Sequence, residues 1–225
     1  MCGRFSLGVS TTTLAQQFNL ADLPSWVPRY KITPTQEVLT ILKMPDAPER
    51  QARLLRWGLV PPWAEGPAVG SRMINARAET VATKPAYRRA FKERRCLVLA
   101  DGFYEWIETG PKQKQPYLIR MLDQQPFAFA GLWERWHDNE RGDTIESCTI
   151  ITCPPNAVCA PIHDRMPAIL AKENYAAWLG ETAATPEELK ASLKPCPEEG
   201  MEAVKVSTKV NQSKIDAPEV FELVP

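Results

Sequence analysis

The apolar runs of this chain are short, and proline or glycine cuts most of them. The sequence holds 21 prolines in 225 residues. Proline fixes φ and lacks an amide proton, so it ends helices and sits at sheet edges. Pro24–Pro34 is a proline-rich entry. Val38–Leu42 is a β-rich run ended by a Pro-Asp-Ala-Pro turn at 45–48, and Leu54–Val60 is a strand stopped by Pro61-Pro62. Cys96–Ala100, Phe103–Trp106, Tyr117–Arg120, Phe127–Leu132, Cys148–Cys153 and Ala203–Val206 also read as strands. An Asp101-Gly102 turn makes the first two a hairpin candidate. Helical periodicity is confined to Thr11–Phe18, with Leu14 and Phe18 on one face, to Pro85–Arg95 and to Asn174–Leu179. A further helix starts at the capping box Thr185-Pro186-Glu187-Glu188. Short strands with helices at the edges predict one α+β domain over residues 1–225, built on a curved sheet or barrel.

No apolar run approaches the roughly 20 residues that span a bilayer, and MCGRFSLGVS lacks the apolar stretch of a signal peptide. No membrane contact and a cytoplasmic location are therefore expected. In such a compartment the six cysteines stay reduced, and most are expected to act as small buried hydrophobes. None forms a CxxC pair, so no metal site is expected. Net charge is zero, but residues 171–225 carry 6 basic and 10 acidic residues, leaving 21 basic and 17 acidic ahead of them. That bias permits a local surface for an anionic ligand.

Four segments carry reactive groups. Met1-Cys2 becomes an N-terminal cysteine if the initiator methionine is removed. The product is a 1,2-aminothiol: its amine condenses with an aldehyde to an imine, and its thiol closes a thiazolidine. In Asn75-Ala76-Arg77-Ala78-Glu79-Thr80, Asn75 can orient a substrate and Arg77 shares its strand face. Arg77 suits a phosphate, or else pairs with Glu79. In Asp101-Gly102-Phe103-Tyr104-Glu105-Trp106 the carboxyl of Glu105 lies between aromatics, which favours a raised pKa and general acid work. Asp101 is assigned to the turn. His163, one of two histidines, is flanked by Asp164 and Arg165 and suits proton transfer. The other, His137, lies in the polar stretch Trp136-His137-Asp138-Asn139-Glu140. Trp63 follows Pro61-Pro62 and offers a face for base stacking. Arg88, Lys92 and Arg95 would line one face of a short basic helix.

In this order the segments resemble the SRAP (SOS response-associated peptidase) family. The matching stretches are MCGRF, Arg29-Tyr30, RWGLVPPW at 56–63, INARAET at 74–80, RRCLVLADGFYEW at 94–106, HDRMP at 163–167 and Val206-Ser207-Thr208 through Val210-Asn211. The resemblance implies a single α+β domain with a barrel-like, mostly antiparallel β core and peripheral helices. It implies an enzyme that binds single-stranded DNA containing abasic sites and crosslinks to it through Cys2 after Met1 is lost, without a cofactor. Asn75 would position the N-terminus and the sugar. Glu105 would act as general acid and base, and His163 would assist proton transfer. Arg4, Arg77 and Arg165 would contact phosphates, and Trp63 would belong to a wedge near the lesion. It further implies AP-lyase activity, autoproteolytic loss of Met1, a nucleoid location on DNA, replication machinery as a neighbour, and a monomer. Lys31 and Thr33 depart from the family's usual asparagine and alanine, which alters one wall of the groove. Two other readings stand beside this one: a self-processing cysteine peptidase using Cys2 and His163, and a nucleic-acid-binding module without catalysis.

Overall fold

The computed structural model describes residues 2–44, 46–47, 49–111, 113–138, 140–212 and 214–224. Met1, Asn139, and Pro45 and Pro48 of the expected turn lie outside the described residues. In chain order the elements are β1 (Phe5–Leu7), α1 (Thr11–Phe18), β2 (Arg29–Ile32), β3 (Glu37–Lys43), β4 (Arg50–Trp57), β5 (Asn75–Arg77), α2 (Arg88–Glu93), β6 (Arg95–Ala100) and β7 (Gly102–Gly110). They continue with β8 (Gln113–Met121), β9 (Phe127–His137), β10 (Thr144–Cys153), β11 (Met166–Pro167), α3 (Tyr175–Leu179), α4 (Pro186–Ala191) and β12 (Met201–Lys205).

The strands form two layers. β10, β4, β3, β6 and β9 pair in that order, and β9 returns to β10, so this sheet closes into a barrel. The five pairings that close the barrel are antiparallel except β10 with β4. β5 and β11 extend from β10. The second sheet has the order β12-β8-β7-β1-β2 and is antiparallel throughout. Val38 to Leu42 are buried without alternation, as expected of a strand covered on both faces. Phe5 of β1 packs edge-on against Trp57 of β4 at 5.1 Å and Phe129 of β9 at 5.7 Å, joining the two layers. Each such ring contributes about 1.5–3 kcal/mol on burial. A smaller core of Tyr104, Leu118, Val206, Val210 and Val220 lies under the C-terminal segment. The α+β class and barrel-like, mostly antiparallel core agree with the sequence reading.

Three local expectations need correction. β6 and β7 are not a hairpin: β6 pairs with β3 and β9 in the barrel, whereas β7 pairs with β1 and β8 in the other sheet. Asp101-Gly102 is the corner where the chain changes layer. Asp101 does serve that corner, accepting from Ser6 Oγ at 2.6 Å and from Gly8 N–H at 2.5 Å. β4 ends at Trp57, ahead of Val60. Gly58 there adopts φ 125°, and a Cβ on it would lie 2.5 Å from the Gly70 carbonyl oxygen. A close backbone crossing, more than Pro61-Pro62, stops that strand. Finally, Arg95 opens β6 instead of extending α2, and its guanidinium donates to the carbonyls of Phe91, Lys92 and Trp178. It caps two helix ends, so of the three basic residues expected on one face Arg88 and Lys92 alone are exposed. The capping box at Thr185 forms as the sequence predicts.

Candidate active site

Four strands, β1, β5, β7 and β10, bring the candidate groups together. β1 runs antiparallel to β7 with Phe5 opposite Phe103, and Tyr104 N–H donates to the Arg4 carbonyl at 2.9 Å. That register carries the residues ahead of β1 alongside Glu105. β5 runs parallel to β10 and sets Asn75 opposite Ile150. Asn75 Nδ2 donates to the Cys2 carbonyl at 2.7 Å. Its Oδ1 is buried and has no hydrogen-bond partner among the described residues. The backbone before Asn75 is fixed from both sides: Trp57 Nε1 donates to the Ile74 carbonyl at 2.9 Å, and Ile150 N–H at 3.0 Å.

Cys2 is fully buried. Burial, reinforced by the nearby Glu105 carboxylate, pushes its thiol well above the usual range. The Glu105 side chain is 6% exposed, and its Oε2 lies 4.0 Å from His163 Nε2. Burial also raises the Glu105 carboxyl, an effect that a charged His163 opposes. The loop after β10 presents His163: its N–H donates to the Cys159 carbonyl at 2.9 Å. Its Nδ1 accepts from Arg165 N–H at 3.0 Å. The site thus assembles a fixed N-terminal segment, a buried carboxylic acid and an imidazole in reach of it.

The expected phosphate contacts differ in availability. Arg77 is exposed on β5. Arg4 lies over the Trp106 ring at 4.8 Å and donates to the Val210 carbonyl at 2.8 Å. Trp63 is 67% exposed. Arg165 is engaged internally, with a two-point pair to Glu79 at 2.6 and 3.0 Å and a bond to the Thr152 carbonyl at 2.6 Å. The Glu79 partner is therefore Arg165 and not the neighbouring Arg77, a pairing that no local spacing reveals. Lys31 is buried and donates to the Gln212 carbonyl, so this departure ties β2 to the C-terminal segment. Burial, and then the charge of Arg4, lower its pKa. Trp57 and Glu79 are supporting residues that sequence reasoning missed. The first lay unremarked in RWGLVPPW, and the second was read against the wrong arginine.

A barrel backed by a second sheet thus brings the Cys2 segment, the Glu105 carboxyl and the His163 imidazole into one site. The model of the SOS response associated peptidase (SRAP) family matches residues 1–213. The chain is 43% identical to the abasic site processing protein YoqW of Bacillus subtilis, covering 99% of each chain. It is 30% identical to the abasic site processing protein YedK of Escherichia coli, covering 87% of each. A crystal structure of a protein from Bacteroides thetaiotaomicron superposes with a TM-score of 0.89 at 26% identity over the full length of both chains. This chain belongs to the SRAP family. Among the described residues no helix is long and apolar enough to cross a membrane.

Proposed function

We propose that this chain processes abasic sites in single-stranded DNA, linking to them covalently through Cys2 once Met1 is removed. The observation that carries the reading is the Asn75 amide holding the Cys2 carbonyl at 2.7 Å, next to the buried Glu105 and the half-buried His163 that faces it. An abasic site is an aldehyde in equilibrium with a closed sugar. Burial raises the Glu105 carboxyl and favours its acid form, which donates a proton to the sugar ring oxygen as the ring opens while the anomeric hydroxyl loses its proton to water. The freed α-amine, with the buried Asn75 Oδ1 as its acceptor, adds to the aldehyde carbon and loses water to give an imine. The thiol then adds across the C=N bond: sulfur bonds to carbon, and the thiol proton passes to nitrogen by way of Glu105 or His163. If ring closure fails, the same imine permits strand cleavage by β-elimination. Arg4 and Arg77 take phosphates, Trp63 stacks near the lesion, and Arg165 reaches the backbone only through the edge of its Glu79 pair. On this reading the protein works as a monomer in the cytoplasm, at the nucleoid and near replication.

The raised Cys2 thiol also bears on the peptidase reading. Burial works against a free thiolate attacking a peptide bond, whereas an amine that reacts first needs no thiolate at the outset. Incubation with an oligonucleotide carrying one abasic site, followed by heating in denaturant, separates the readings. A surviving adduct supports covalent processing. Binding without an adduct, or peptide cleavage alone, contradicts it.

A further inference from the structure

Two contacts at His163 ask for opposite states of the same nitrogen. The Arg165 amide lies 3.0 Å from Nδ1 and needs a lone pair there. The Asp164 carboxylate lies 2.8 Å from the same Nδ1 and needs a proton there. A neutral imidazole carries one proton, and the bond made by one nitrogen fixes the other. If the amide prevails, the proton sits on Nε2, which faces Glu105 at 4.0 Å. If the carboxylate prevails, Nε2 presents a lone pair to Glu105 instead.

The structure favours the amide. Asp164 is 87% exposed, so water competes for its carboxylate. The Arg165 amide belongs to a backbone anchored by its own side chain. Arg165 Nη1 and Nη2 grip Glu79 at 2.6 and 3.0 Å, and Nη2 also donates to the Thr152 carbonyl of β10 at 2.6 Å. The Arg165 side chain is only 12% exposed, so the grip is partly shielded from solvent. Glu79 is itself held just beyond β5, where Ala78 N–H donates to the same Thr152 carbonyl at 2.9 Å.

We propose that the Glu79–Arg165 clamp selects the tautomer of His163, holding the proton on Nε2 toward Glu105, which makes Glu79 a positioning residue. The inference builds on the proposed role of His163 in proton transfer, but its test is separate. ¹⁵N NMR of ring-labelled protein, at a pH where the imidazoles are neutral, reads the tautomer directly. The chain has only two histidines, and a His137→Gln variant assigns the signals. Wild type should show Nε2–H at His163. Glu79→Ala should shift the population toward Nδ1–H and slow adduct formation about tenfold or more. Adding Asp164→Asn to Glu79→Ala should restore Nε2–H, because an amide donor replaces the competing carboxylate. Nδ1–H in the folded wild type overturns the proposal without any variant. So does an unchanged tautomer in folded Glu79→Ala. Failure of wild type to form an adduct would sink the functional reading and leave the tautomer result standing.

Discussion

At the scale of single residues the site is set by burial more than by charge. Glu105 is nearly inaccessible, and burial raises its carboxyl pKa. A carboxyl raised in the folded state binds a proton more tightly there than in the unfolded chain. Its contribution is therefore most favourable at low pH. That contribution is lost as pH rises from the ordinary value of 4.5 through the raised one. Glu105→Gln should accordingly raise the melting temperature at neutral pH, with the gap closing at acid pH, while adduct formation falls about 10²-fold or more. Melting curves and gel kinetics over a pH series check both halves. A variant that is no more stable at neutral pH contradicts the assigned burial. Cys2, Asn75, Glu105 and His163 stood out as candidates because each sits in a motif and the motifs occur in one order. The Glu79–Arg165 pair was not, because its members lie 86 residues apart and meet only through β5 and β10.

At the scale of elements, the strands were legible from their apolar runs, but their partners were not. Asp101-Gly102 is a valid local turn signal, yet both edges of β6 are taken by β3 and β9. Pairing is decided by which edges remain open, which a local reading does not see. The crossing of Gly58 and Gly70 is likewise invisible in sequence, although it sets the path from β4 to β5. Met73 N–H donates to the Gly70 carbonyl at 2.9 Å, and Leu59 N–H to the Met73 carbonyl at 3.2 Å, just ahead of Asn75. A Cβ on Gly70 would lie 2.5 Å from the Gly58 carbonyl oxygen. Gly70→Ala should destabilise the fold by about 1–3 kcal/mol and slow adduct formation by moving Asn75. Denaturant unfolding measures the first effect, and a neutral result would show that this loop yields. Asp101→Ala should cost about 1–3 kcal/mol by stripping Ser6 and Gly8 N–H of their acceptor.

At the scale of the whole molecule, zero net charge leaves DNA affinity to local cations. Arg77→Ala should weaken binding to single-stranded DNA and lower the salt slope by about 0.7. An unchanged slope in a salt titration would remove Arg77 from the contact surface. Burial does not distinguish the cysteines, but chain position does. Cys96, Cys148, Cys153 and Cys159 are buried, Cys196 is partly buried, and none is paired with a free amine. Only Cys2, after loss of Met1, offers amine and thiol on adjacent carbons. Mass spectrometry of the purified DNA adduct after trypsin digestion tests this most directly. The peptide Cys2-Gly3-Arg4 should carry the deoxyribose remnant, with Met1 absent and a mass lower by one water, and Cys2→Ser should abolish the heat-stable adduct. A remnant on a peptide that retains Met1, on a lysine or on any internal cysteine would contradict the account.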